Sequence, residues 1–309
     1  MSLARTLLLK ASDSHWLREH GVKAPFVRRA VSAFMPGETS NDMLVAASAQ
    51  AALGVGAVFT RLGENVADLA EAKAVTDHYL EVIAEVERRG MACEPSVKPT
   101  QLGLDVDRAA AYANALTIAR RADAAGNYFW VDMEQSSYVD ATLDFVTRLR
   151  AEVPRVGVAL QAYLHRTKDD AARMIAQGVG IRLVKGAYNE PPSVAMPKKA
   201  DVDASYLALA RTMLAPASRA TGSRAVFGTH DTAIINAIER HGDGLGLAPT
   251  DYEVHMLYGI QRAEQRRLAQ ERKNVRVLIA YGSHWFPWYM RRLAERPANM
   301  WFVAKSLVR

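Results

Sequence analysis

Several charged side chains stand where short apolar runs end in this 309-residue chain. Lys98 follows Cys93 to Val97, and Asp132 stands in Val131-Asp132-Met133-Glu134. Arg182 lies inside Ile181-Arg182-Leu183-Val184, with Lys185 next. Gln161, Thr229 and His230 close other runs of the same kind. A charge withdrawn from water costs on the order of several kcal/mol unless it is paired. These groups must therefore pair with one another, with a ligand, or with both. Three cations around one carboxylate suit an anionic ligand, and a rim of structural ion pairs is the alternative. Arg291-Arg292-Leu293-Ala294-Glu295 adds two guanidinium forks of the shape that suits a carboxylate or phosphate. Glu295 lies four residues after Arg291 and three after Arg292, so on a helix it can pair with either.

The elements that must position these residues follow from periodicity. Runs rich in Val, Ile, Phe and Leu, the mark of buried strands, occupy 55–60, 93–97, 129–133, 156–161, 181–184, 225–228, 252–256 and 275–280. Helix-spaced segments lie between them at 68–89, 107–125, 137–151, 167–177, 200–221, 232–240 and 259–272, with a last helix at 288–296. Gly90, Gly126 and Gly178 stand just past three of these helices, and Asp107 can cap a fourth end. Eight such alternations in about 250 residues predict a (βα)8 barrel of the α/β class, occupying 55–309. Residues 1–54 are expected to be helices packed against it. Active sites of such barrels lie at the carboxyl ends of the strands. That places Lys98, Asp132, Gln161, Arg182, Lys185, Thr229 and His230 around one mouth, and Glu253, His255 and His284 are expected near it too.

Composition narrows the function further. The net charge is +6, but the cations are scattered, without the continuous basic face that nucleic acid requires. The single cysteine, Cys93, allows no intrachain disulfide, and there is no Cys/His spacing for a metal. Met1 to Lys10 is too short an apolar run for a signal peptide. No stretch approaches the roughly 20 apolar residues of a membrane span. A soluble cytoplasmic protein, at most peripheral to a membrane, is expected. Gly242-Asp243-Gly244-Leu245-Gly246 lacks the GxGxxG spacing and reads as a turn between elements.

The run Arg182-Leu183-Val184-Lys185-Gly186-Ala187-Tyr188, with Thr229-His230 and Arg291-Arg292-Leu293-Ala294-Glu295, resembles the proline dehydrogenase family, including the matching domain of the PutA proteins. The likeness runs from about Leu53 to the C-terminus. It implies an FAD-binding barrel that oxidises L-proline to Δ1-pyrroline-5-carboxylate by hydride transfer to flavin N5. It implies that Lys98, Arg291 and Arg292 hold the substrate carboxylate, with Asp132 beside Lys98 ordering the site. Glu64 would pair with Arg291 and close the site. Arg182 would reach the flavin N5 region, Gln161 the pyrimidine end, and Met133 the flavin through its backbone or side chain. Lys185, Gly186, Ala187, Thr229 and His230 would bind the ribityl-pyrophosphate portion. A quinone is the implied electron acceptor, and a separate dehydrogenase would oxidise the pyrroline product. Two positions depart from the family pattern. Leu278 stands where the family places a ring-contacting tyrosine, with Tyr281 three residues later expected to face elsewhere on an alternating strand. Asn189 stands where many members have tryptophan. The Leu278 departure leaves open a second reading, the same flavin chemistry on a modified proline or another cyclic imino acid.

Overall fold

A computed structural model describes residues 34–285. Arg291, Arg292, Glu295 and the helix expected at 288–296 lie outside the described residues, as do His15 and His20. The first helix, α1 (Ser40–Ala51), is fixed at its start by a capping box: Thr39 accepts from the Asp42 amide, and Asp42 bonds back to Thr39. Met43 and Ala47 from α1 join the main apolar core.

Strands and helices then alternate: β1 (Gly56–Arg61), α2 (Leu69–Arg88), β2 (Cys93–Val97), α3 (Arg108–Ala124), β3 (Phe129–Val131), α4 (Val139–Glu152), β4 (Val156–Gln161), α5 (Thr167–Ala176), β5 (Gly180–Val184), α6 (Lys199–Leu214), α7 (Pro216–Ala220), β6 (Ala225–Gly228), α8 (Thr232–Gly244), β7 (Glu253–Leu257), α9 (Arg262–Gln270) and β8 (Asn274–Tyr281). Each strand pairs in parallel with its successor, and β8 closes on β1, giving a barrel. The expected fold class is therefore the observed one. Short 3-10 turns at Pro99–Leu102 and Ser136–Tyr138 begin two of the connections at the mouth.

Side chains alternate between the barrel interior and the helical coat. The coat side holds the larger core, including Phe59, Val97, Val131, Leu183, Phe227 and Ile279. The interior holds a separate apolar cluster of Val58, Trp130 and Val226, with Leu278 packed against it. Trp130 fits only because β4 offers glycine opposite: a Cβ on Gly157 would lie 2.4 Å from the indole ring.

Below that layer, at the amino ends of the strands, the barrel is closed by ions. Arg224 grips Glu253 with two bonds of 2.7 and 2.6 Å and Glu94 with one of 2.8 Å. Arg276 reaches Glu253 at 3.1 Å, and Trp130 donates its indole N–H to Glu94 at 2.6 Å. Two guanidinium groups thus neutralise two buried carboxylates. This corrects the expectation for Glu253 and His255. Glu253 is the first residue of β7, so it belongs to the floor, and His255 bonds to it from the position just above.

Two further expectations change. The helical stretch at 200–221 is broken at Ala215, whose ψ of 143° is extended. Pro216 disfavours the helical region for the residue before it, and it opens α7 at a position where its missing N–H costs nothing. The glycine-rich run 242–246 is not a free turn: α8 continues through Gly244, and Gly246 takes the positive φ of 69° that ends it. No helix among the described residues is long and apolar enough to cross a membrane.

Candidate functional site

The carboxyl ends of the strands carry a second polar constellation, distinct from the floor. Its centre is Arg182 on β5, only 4% exposed. Its Nη2 donates to Ser96 Oγ at 2.9 Å and to Asp132 Oδ1 in a short charge-assisted bond. Asp132 stands one residue beyond β3, where its amide still bonds to Val97 O at 2.7 Å. Cζ of Arg182 lies 5.1 Å from the centre of the Trp130 ring, so a π face supports the cation from within the barrel. Nη1 of the same guanidinium is buried without a hydrogen-bond partner.

Lys98 sits at the end of β2 and forms a short ion pair with Glu64 in the loop after β1. The bonded partner of Asp132 is Arg182, and that of Lys98 is Glu64. The expected partner of Glu64, Arg291, lies outside the described residues.

A frame of buried hydrogen bonds holds these loops. Glu134 accepts from the Thr100 amide at 3.1 Å and its hydroxyl at 2.6 Å, and its own carbonyl accepts from Gln161 Nε2 at 2.9 Å. Burial pushes its carboxyl above the ordinary range, opposed by the Thr100 hydroxyl and the charge of Lys98. Glu190, after β5, accepts from the Ser136 amide and hydroxyl at 2.7 and 2.6 Å, tying two mouth loops together. Sequence reasoning missed these frame residues. Charged residues in loops carry no signal of burial until the opposite loop is known.

On the far side of the mouth, the Lys185 ammonium lies between Asp203 at 2.5 Å and Asp231 at 3.0 Å, and Lys199 pairs with the same two carboxylates. The four charges balance. Asp203 was not legible as a site residue, because it stands within the helical pattern of α6 as any solvent-facing acid would. Gly186 follows at φ 120°, and a Cβ there would lie 2.2 Å from the Tyr163 ring. Only glycine allows this turn. Ala187 follows in the same half-buried loop. Thr229 is buried, and its hydroxyl accepts from the Asp231 amide at 3.1 Å. Nε2 of His230 accepts from the Leu257 amide at 2.8 Å, which puts the ring proton on Nδ1.

Three further positions are resolved. Met133 packs its side chain into the core between barrel and helices, which leaves its backbone toward the mouth. Leu278 faces the barrel interior beside Val58, Trp130 and Val226. Tyr281 is fully buried on the outer side, with its hydroxyl 2.8 Å from His78 Nε2 on α2. The wall of the interior at this point is thus leucine rather than tyrosine. His284, three residues beyond β8, is exposed.

The arrangement suits a flat, anionic guest. Gly228, on β6 opposite Val184, is confined to glycine by close packing: a Cβ there would lie 2.8 Å from Val184 Cγ1 and 3.1 Å from Leu183 O. Around the same mouth stand one buried guanidinium with an unpartnered Nη1, the amide of Gln161 and the glycine turn at 186. Those are the groups needed to hold a planar ring system and its charged tail.

Comparison with known proteins agrees. The sequence model of the proline dehydrogenase family matches residues 43–305. The chain belongs to the proline dehydrogenase family. Proline dehydrogenase 2 of Bacillus subtilis strain 168 is 34% identical over 256 residues, 83% of each chain. The proline dehydrogenase of Deinococcus radiodurans is 33% identical over 281 residues, 89% of each chain. Among solved structures, proline utilization A from Bdellovibrio bacteriovorus, inactivated by N-propargylglycine, superposes with a TM-score of 0.78 at 22% identity. That match covers 87% of this chain and spans about a third of the other, 33%. Family membership makes the chain an oxidoreductase of proline catabolism and implies a flavin.

Proposed function

We propose that the chain is an FAD-dependent enzyme that oxidises L-proline to Δ1-pyrroline-5-carboxylate, with the hydride passing to flavin N5. The observation that carries this reading is Arg182, buried at the mouth and tied there by Asp132 and Ser96. FAD, when bound, would supply the two-electron acceptor for the hydride leaving the ring carbon next to nitrogen. The protein's contribution is orientation and fixed charge.

In this reading Arg182 stabilises negative charge developing near N5, and Asp132 and Ser96 keep its guanidinium from swinging away. Gln161 spends its amide N–H on Glu134, which leaves its carbonyl oxygen to accept from the pyrimidine N–H. Met133 contributes backbone. Gly186 and Ala187 allow close approach of the ribityl-pyrophosphate portion, with Thr229 and the Nδ1–H of His230 as neighbouring donors. Lys185 reaches a phosphate oxygen by exchanging one of its two aspartates for it. The substrate carboxylate is held by Lys98, Arg291 and Arg292. Lys98 exchanges Glu64 for it, and Glu64 takes Arg291 instead and closes the site. Glu295 steadies the arginine pair. The substrate amine loses its proton to solvent before closure. The electrons leave to a quinone, which fits a cytoplasmic protein peripheral to a membrane, and a separate dehydrogenase consumes the pyrroline.

A second reading keeps the flavin chemistry and changes the imino acid. Leu278 favours it, because an apolar wall replaces a hydroxyl beside the substrate ring and leaves room for a substituted proline. Two measurements test the proposal. Purified chain should carry about one FAD, released on denaturation and identified by chromatography. Lys98→Met should raise the KM for L-proline at least tenfold. Chain that binds no FAD, or an unchanged KM, would remove the reading.

A further inference from the structure

Two atoms inside the barrel are buried without a hydrogen-bond partner and are complementary: Nη1 of Arg182 and Nδ1 of His255. Both residues are 4% exposed. A guanidinium only donates. The state of His255 follows from its other nitrogen, which faces Glu253 Oε2 at 3.3 Å. Glu253 is gripped bidentately by Arg224 and approached by Arg276. Burial pushes its carboxyl up, but His255 and Arg224 outweigh that and hold it well below the ordinary range. An ionised carboxylate only accepts, so Nε2 of His255 carries the ring proton and Nδ1 presents a lone pair. The ring itself is neutral: burial pushes its pKa down to about 4, against the pull of Glu253.

The topology brings these two atoms to one place. Arg182 and His255 project from β5 and β7, alternate strands of the kind that fill one interior layer. The strand between them, β6, offers Gly228, which pairs with Val184 on one side and His255 on the other. A Cβ on Gly228 would lie 3.7 Å from Arg182 Cγ, so the Arg182 stem runs close to the backbone position that pairs with His255. Both lie against Trp130, Arg182 at 5.1 Å from the ring centre and His255 edge-on at 5.8 Å. The other charged groups facing His255 are Glu253, Arg224 and Arg276 of the floor. Leaving a buried donor and a buried acceptor unpaired costs the full desolvation of both. One internal water that accepts from the first and donates to the second satisfies both.

We propose that His255 is a positioning residue for Arg182, joined to it through one internal water. The floor then connects to the mouth in a single chain: Arg224 and Arg276, Glu253, His255, water, Arg182, Asp132. Its effect is to hold the guanidinium plane so that Nη2 stays on Asp132 and Ser96. The inference concerns the protein alone and holds whatever cofactor or substrate the mouth receives.

Nitrogen NMR on the full chain, flavin-free, tests it. With 15N-histidine, His255 should be a neutral Nε2–H tautomer whose Nδ1 signal is shifted upfield by an accepted bond. Arg182→Met should move that signal toward the position of an unbonded nitrogen. A protonated ring, the Nδ1–H tautomer, or an Nδ1 signal indifferent to Arg182→Met overturns the proposal. With 15N-arginine, His255→Leu should speed exchange of the Arg182 Nη protons about tenfold, the effect of one hydrogen bond of ordinary strength. His255→Gln, which keeps an acceptor there, should restore slow exchange. Equal exchange in all three proteins overturns the proposal as well. Should His255→Leu not fold, the histidine signal and the glutamine variant still decide.

Discussion

Replacing Arg224 by methionine tests how much the ionic floor stabilises the barrel. Arg224 makes three bonds to Glu253 and Glu94 and stacks over Tyr128 at 4.5 Å. Methionine keeps some packing but leaves Arg276 alone to neutralise two buried carboxylates. Removing one partner from a buried ion pair costs about 3–5 kcal/mol. At roughly 2–4 °C per kcal/mol for a chain somewhat shorter than this one, the Tm should fall by about 6–20 °C. The pH dependence has a definite sign. Glu253 is depressed in the folded protein, so it contributes stability above its unfolded pKa of about 4.3, lost as pH falls through the lower folded value. In the variant its folded pKa rises, and protonation relieves the uncompensated charge. The gap in Tm between wild type and variant should therefore narrow from about pH 8 to about pH 4.5. Scanning calorimetry across that range measures it. A gap under about 2 °C at pH 8, or one that stays constant with pH, would refute the reasoning.

Other substitutions probe the mouth. Arg182→Met should lower kcat by about 10²–10³ with KM for L-proline within about threefold, the effect of losing one preorganised group that acts on developing charge; steady-state kinetics measures it, and a KM-only effect would reassign Arg182 to substrate binding. Gly186→Ala should cost flavin retention outright, since its Cβ would overlap the Tyr163 ring; equal flavin-to-protein absorbance in variant and wild type would contradict that. Leu278→Tyr should narrow the range of ring-substituted imino acids oxidised relative to L-proline, read from kcat/KM ratios; unchanged ratios would show that this wall does not meet the ring.

Much of the barrel was legible because most strands are short apolar runs and the helices are longer segments between them. Cys93–Val97, Val156–Gln161 and Ala225–Gly228 came out at their observed bounds. What failed was polarity along a strand. Glu253 was placed at the mouth although it opens β7, and over a five-residue strand at about 3.3 Å per residue the two ends are far enough apart to be different sites. Nothing local distinguishes a charge that closes the floor from one that lines the mouth; the partners, Arg224 and Arg276, come from other strands. The same holds for Lys185, whose charge is balanced by Asp203 and Asp231 from elements 18 and 46 residues away. The break before Pro216, by contrast, was readable from the proline itself, and the alanine-rich pattern around it obscured it. The alternation rule did assign Leu278 and Tyr281 to opposite faces correctly, since it needs only the strand and not its neighbours.

In the proposed reaction an imino acid gives up two electrons to a bound flavin at the mouth. An anaerobic titration measures this directly. Flavin-loaded chain mixed with L-proline should lose its visible absorbance stoichiometrically, with one equivalent of pyrroline trapped as its coloured adduct. Persistent colour with L-proline and with every substituted proline or larger-ring imino acid tried would contradict it.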